Sequence, residues 1–138
     1  MREPFVAWTG KMSVGVAALD EDHKKLIAIV NDLHDGIASG SGTERLGRVL
    51  DGLVSYTGSH FAHEEELFAQ TGYPAAAAHM LEHKKMSRLV RDIQARYNKG
   101  QFDSLSLETI EFLKNWLHEH ILASDKNYQK HLNACGVH

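Results

Sequence analysis

Cysteine, proline and long apolar runs are scarce in this chain, and each scarcity removes a class of protein. A single cysteine in 138 residues, Cys135, rules out an internal disulfide framework. It reads as an ordinary thiol in a polar tail, in keeping with a reducing compartment. Only two prolines interrupt the sequence, so little stands in the way of long helices. No apolar run approaches the roughly 20 residues that span a bilayer. Met1 to Gly10 also lacks the basic start and apolar centre of a signal peptide. A soluble, cytoplasmic protein with no membrane partner is therefore expected. Charge of one sign is missing too. Fifteen Lys and Arg against 18 Asp and Glu leave a formal charge of -3, with the signs interspersed and no basic stripe to hold nucleic acid.

What the chain does hold is histidine, ten residues in all, on a background of 43% hydrophobic and 24% charged residues that is ordinary for a globular protein. Its length suits one domain with a continuous core, residues 1–138. Residues 1–19 show no sustained period and read as an ordered arm holding Pro4, Gly10 and Gly15. From Asp20, the positions Leu26, Ile27, Val30, Leu33 and Ile37 recur at helical intervals until the Ser39-Gly40-Ser41-Gly42 break. Thr43 is placed to cap a second helix carrying Leu46, Val49, Leu50, Leu53, Leu67 and Phe68, which stops at Thr71-Gly72-Tyr73-Pro74. Gly47, Gly52 and Gly58 weaken that helix by about 1 kcal/mol each relative to Ala, unless they permit close helix contacts. A third helix is expected from about Ala75 to Tyr97, and a fourth from about Ser104 with Ile110, Leu113, Trp116, Leu117 and Ile121 on one face. A short helical tail follows Asp125. Four helices joined by short links predict an all-α, antiparallel up-down-up-down bundle, spanning about residues 20–124.

The histidines fall on these helices in a telling way. His60 with Glu64 and His79 with His83 are spaced i, i+4, so each pair projects from one helical face, and His23 lies on the apolar stripe of the first helix. His120 stands one turn from Trp116 on the apolar face of the fourth helix, whereas His118 shares its face with Glu111, Lys114 and Asn115 and is expected to be exposed. In an antiparallel bundle the start of the first helix, the end of the second, the start of the third and the end of the fourth meet. His23, His60, Glu64, His79, His83, His120 and Asp125 occupy those four ends. Five imidazoles and two hard, bridging-capable carboxylates are too many donors for one octahedron and favour a two-metal site. His34, His131 and His138 are assigned solvated or locally bonded roles, and His63, three residues from His60, could face either way and is not counted as a ligand. One spacing resists: from His120 to Asp125 is i+5, which on an ideal helix turns the carboxylate about 140° away. Either a wider, π-type turn restores convergence, or Asp125 is a solvated residue and not a ligand.

With these residues in view, the chain from about Trp8 to Tyr128 resembles the hemerythrins, most closely bacterial hemerythrins and hemerythrin-like sensor domains. The likeness is carried by Gly15-Val16 through Asp20 and His23, by His60-Phe61 with Glu64, by His79 with His83, and by Trp116-Leu117 with His120-Ile121 and Asp125. It implies two iron ions joined by an oxo or hydroxo bridge, with His79, His83 and His120 on one, His23 and His60 on the other, and Glu64 and Asp125 bridging both. Two octahedra offer about twelve positions, of which this set and the bridge use about eleven, leaving one for dioxygen. Leu26, Phe61, Trp116, Leu117 and Ile121 match the family's apolar oxygen pocket, and Tyr128 is either a support for the ligands or plain packing. Asp22 departs from the Gln that many relatives carry before the first histidine. The function so implied is reversible dioxygen binding for storage, delivery or sensing, with no catalytic residues. Dioxygen is the expected partner, and a signalling domain or redox protein would be a second. A diiron oxidase or peroxidase is the competing reading, disfavoured because such bundles rely on Glu-rich sets. A redox-inert metal site is the third.

Overall fold

The computed structural model describes residues 5–138, so Pro4 lies outside the described residues. The chain is an antiparallel four-helix bundle of α1 (Ala17–Ala38), α2 (Gly42–Thr71), α3 (Ala76–Asn98) and α4 (Leu105–Trp116), followed by α5 (Gln129–Ala134). Around the bundle α1 packs on α2 and α4, and α3 on α2 and α4, as expected for up-down-up-down topology. Among the described residues no helix is long and apolar enough to cross a membrane.

The helix ends correct several boundaries. Asp20 does not open α1, which starts three residues earlier, at Ala17. Its carboxylate instead accepts hydrogen bonds from Ser13 Oγ at 2.6 Å and from the Val14 amide at 2.8 Å, pinning the arm to the first turn. Thr43 is not the cap of α2. The helix begins at Gly42 after Ser41, with no side-chain cap bond. The stop after Thr71 is as the turn chemistry implies: Gly72 takes φ 66°, and the Tyr73 amide reaches back to the Phe68 carbonyl at 3.2 Å.

The arm has a structural reason for Gly15. Its φ is 73°, and a Cβ there would lie 2.7 Å from Gln129 and 2.9 Å from Asn133 on α5. Asn133 donates to the Gly15 carbonyl at 2.9 Å, so arm and tail close one end of the bundle together. Of the three glycines of α2, Gly47 sits under the Tyr97 hydroxyl, which a Cβ would meet at 2.6 Å. Gly52 makes ordinary contact with Ile29, and Gly58 faces open space.

Apolar packing divides into two clusters. The larger joins Leu26, Val30, Leu33, Leu50, Leu53, Met86, Leu113 and their neighbours along the bundle axis. The smaller, Val14, Val16, Leu19, Phe68, Tyr128 and Leu132, is assembled from the arm, the end of α2 and the tail.

Helix α1 approaches α2 closely at Gly36, where a Cβ would come within 2.8 Å of Arg45 Cβ and Cγ. Arg45 has little freedom to give way, because it donates to the Asp32 carboxylate at 2.9 Å. Ala gains about 1 kcal/mol of helix propensity over Gly. Overpacking at such a contact costs about 1–3 kcal/mol. Gly36→Ala is therefore expected to lower the thermal midpoint by a few degrees. An unchanged or raised midpoint in a calorimetric scan contradicts that balance.

Candidate metal centre

The four helix ends that carry the candidate donors meet between the two apolar clusters, and all seven side chains are buried there. His23, Glu64 and Asp125 have no exposed surface, and His60, His79, His83 and His120 retain 4% or less. Each imidazole turns its Nε2 inward. Asp125 lies 3.0 Å from His23 Nε2 and 2.9 Å from both His79 Nε2 and His120 Nε2. Glu64 lies 3.0 Å from His83 Nε2, 3.4 Å from His60 Nε2 and 3.5 Å from His79 Nε2. The donors separate into two overlapping groups. Glu64, His79, His83, His120 and Asp125 form one, while His23, His60, Glu64 and Asp125 form the other. The two carboxylates belong to both.

The i+5 spacing is resolved by winding. Leu117–Ser124 is π-helical, and the Asp125 amide donates to the His120 carbonyl, one i→i+5 bond. The wider turn brings residue 125 back beneath residue 120, and Asp125 joins the cluster with its side chain fully buried. Its chain then tightens into a 3-10 turn at Asp125–Tyr128, which delivers Tyr128 to the far side of the cage. The Tyr128 hydroxyl donates to Glu64 Oε2 at 2.5 Å while the ring packs in the smaller apolar cluster, so it is both support and packing.

Three carboxylates outside the cage were not legible as a set. Asp22 on α1 accepts from His60 Nδ1 on α2 at 2.9 Å. Glu65 on α2 accepts from His83 Nδ1 on α3 at 3.0 Å. Glu82 on α3 faces His120 Nδ1, at the end of α4, at 3.2 Å. Each outer carboxylate is adjacent in sequence to a cage residue on its own helix and serves the next helix round. Carboxylates behind a ligating imidazole fix its tautomer and orientation. The one available signal was their adjacency to His23, Glu64 and His83, which by itself says nothing about a cross-helix partner. The Asp22 carboxyl is held below its usual range chiefly by the bond from His60, against the opposing effect of burial.

The other histidines stay outside. His118 is exposed, as is His138. His34 stacks on Phe5, His131 shares a 2.8 Å bond with the Thr71 carbonyl, and His63 approaches Asp22 at 3.4 Å. Of the five pocket residues, Leu26, Phe61, Leu117 and Ile121 are buried in the main core. Trp116 is half-buried and stacks on His120 at 4.0 Å. Phe61 lies flat on His83, with ring centroids 3.8 Å apart.

The cage tests its own suitability for metal. His23 Nε2, His79 Nε2, His83 Nε2, His120 Nε2, Glu64 Oε1 and both Asp125 oxygens are buried without a hydrogen-bond partner. Polar atoms so buried cost roughly 1–3 kcal/mol each when left unsatisfied. Several lie near 3 Å from one another, yet their geometry does not form hydrogen bonds, so they are aimed at shared points and not at each other. Imidazoles, once deprotonated, and carboxylates converging on two shared points suit a pair of borderline cations.

Protonation follows from the same crowding. Burial opposes the charge on His60 and His79, but the neighbouring carboxylates outweigh it and push both rings up to about 9. Burial likewise opposes ionised Glu64, yet His60, His79 and His83 hold it well below the usual carboxylate range. At neutral pH the metal-free cage thus carries protons on His60 and His79, which ligation must displace. Metal uptake is expected to release about two protons per chain and to weaken as pH falls below about 9. Calorimetry in two buffers of different ionisation enthalpy reads this directly, and zero release would contradict it. For the metal-free chain, the raised histidines stabilise fully below their unfolded value of 6.5 and lose that contribution as pH rises through about 9. The lowered Glu64 contributes above 4.5 and loses its contribution as pH falls. The cage therefore favours the metal-free fold most between these two values.

Comparison with known proteins agrees with this geometry. Residues 14–132 match the family model described as the hemerythrin HHE cation binding domain. A bacteriohemerythrin from Methylococcus capsulatus is 35% identical over 131 residues, covering 94% of this chain and 98% of that protein. One from Stenotrophomonas maltophilia is 34% identical over 130 residues, covering 94% of this chain and 83% of that protein. The crystal structure of a wild-type hemerythrin superposes with a TM-score of 0.83 at 33% identity, covering 93% of this chain and 98% of that one. With its helix order, its cage and its relatives in accord, this chain belongs to the hemerythrin family.

Proposed function

We propose that this chain binds dioxygen reversibly at a non-haem diiron centre, for storage, delivery or sensing. The observation that carries this reading is the pair of overlapping donor groups sharing Glu64 and Asp125, buried with their donor atoms unpartnered. In it, His79, His83 and His120 would hold one iron, His23 and His60 the other, and Glu64 and Asp125 would serve both. When bound, the iron pair would supply two electrons to dioxygen.

The rest is the work of the chain's own residues. Asp22 and Glu65 orient His60 and His83 through Nδ1, leaving each Nε2 lone pair aimed inward. The Tyr128 hydroxyl donates to Glu64 Oε2, and burial beside Asp125 and Glu64 pushes the phenol well above its ordinary range, so it stays a donor. Leu26, Phe61, Leu117 and Ile121 wall the cage on the main-core side, with Trp116 over His120. Leu19, Phe68 and Tyr128 close the other. Water and stray protons are thereby kept from the site, which favours release of intact dioxygen over further chemistry.

The donor set also argues against turnover. Five imidazoles and two carboxylates give a less anionic pair than the Glu-rich sets of bundle oxidases. The test is stopped-flow absorption of the reduced, iron-loaded protein mixed with dioxygen. Two irons per chain and a charge-transfer band that disappears on deoxygenation are expected. A colourless protein holding one zinc, or sustained substrate or peroxide turnover well above free iron, overturns the reading.

A further inference from the structure

Beside the cage, α2 and α3 flank an open groove of about 590 Å³, lined by Phe61 and Gly58 on one wall and by His83, Lys84, Ser87, Arg88 and Arg91 on the other. That volume falls in the range of small-molecule sites. Lys84, Arg88 and Arg91 are spaced i, i+4, i+7 and so share one face of α3. All three are exposed, and none enters an ion pair among the described residues, where the paired cations are Lys24, Arg45, Arg48 and Arg96. Two acids face them. Glu65 is taken up by His83 Nδ1, which leaves Asp92 against three cations, so the groove has a cationic excess in a chain whose net charge is -3. The opposite wall is open, since a Cβ on Gly58 would meet nothing within 4 Å. At its floor Phe61 keeps 5% of its surface exposed, with one ring face lying flat on His83.

We propose that this groove binds a small organic phosphate carrying a planar ring, of the flavin mononucleotide class. Arg88, Arg91 and Lys84 take the phosphate, with Arg offering the forked donors that suit it. The planar ring enters over Gly58 toward Phe61. His83 itself lines the groove beside Glu65, so the occupant sits directly against the cage, while the side chains that take the phosphate are not cage donors. It does not rest on the identity or presence of the metal.

Fluorescence titration of flavin mononucleotide with the full chain tests it, run on metal-free and iron-loaded protein, with iron content measured separately so that failure of the groove and failure of the centre are told apart. Saturable quenching at one flavin per chain is expected in both forms. Riboflavin, which has the ring without the phosphate, is expected to bind at least about tenfold more weakly, as is flavin mononucleotide to the Arg88→Gln/Arg91→Gln variant. Inorganic phosphate is expected to compete only at much higher concentration. Gly58→Leu fills open space and improves helix propensity, so it is expected to preserve the fold while blocking the groove. Absence of saturable quenching, equal binding of riboflavin, or undiminished binding to either variant overturns the proposal.

Discussion

His120→Ala is expected to abolish the diiron absorption and to drop iron from two per chain to one or fewer, while His118→Ala leaves both unchanged. The two histidines are neighbours in sequence and alike in composition, so the contrast isolates facing. His120 is 3% exposed, and its Nε2 lies 2.9 Å from Asp125, the carboxylate shared by both donor groups. Removing it deletes a donor and frees Asp125 to swing. It also strips Trp116 of its stacking partner, which opens the cage to water. Losing only an outer partner of a metal ligand typically costs ten- to a hundredfold in affinity, and losing the ligand itself costs more. His118 projects to solvent and touches none of these groups. Circular dichroism on both variants separates loss of metal from loss of fold, since a folded, iron-free His120→Ala chain is the expected product. Equal loss of iron in the two variants would refute the facing argument.

Stripping the metal with a chelator is expected to produce the largest change in stability. Nine buried side-chain atoms of His23, Glu64, His79, His83, His120 and Asp125 lack hydrogen-bond partners without metal. Protonation of His60 and His79 relieves part of this cost, though it leaves charges buried. Metal that binds only the folded chain stabilises it by about 4 kcal/mol at a thousandfold excess over its dissociation constant. With an unfolding entropy of about 2.1 cal/mol/K per residue, 138 residues convert that to a fall of roughly 14 °C in midpoint on chelation. Scanning calorimetry with and without chelator checks it, and readdition of ferrous iron under anaerobic conditions is expected to restore the original midpoint. Identical midpoints would mean that the cage is satisfied without metal.

Much of this was readable from local pattern. Leu26, Val30 and Leu33, or Leu46, Leu50 and Leu53, mark buried stripes because a helix repeats its facing every three to four residues, and that rule needs only the sequence. The same rule put His120 inward and His118 outward, and short links between four helices forced the ligand groups to one end. It misplaced the starts of α1 and α2, because Asp20 and Thr43 look like caps, whereas Asp20 serves the preceding arm and α2 starts without a side-chain cap. Gly58 was expected to weaken α2 or ease a helix contact, and its effect is instead an open wall of the α2–α3 groove.

The sequence by itself determined the helices, the apolar stripes, the donor types and the bundle end at which they meet, because each depends on periodicity within one helix or on chain order. Only the tertiary structure decided the rest. The π-winding that returns Asp125 beneath His120 was one outcome the i+5 spacing left open, and only the structure decides it, because it departs from the helical period that spacing rules assume. Asp22 with His60 and Glu65 with His83 are pairings between helices, as is the Tyr128 bond to Glu64. They depend on how far each helix is rotated and slid against its neighbour, which packing of the whole chain settles.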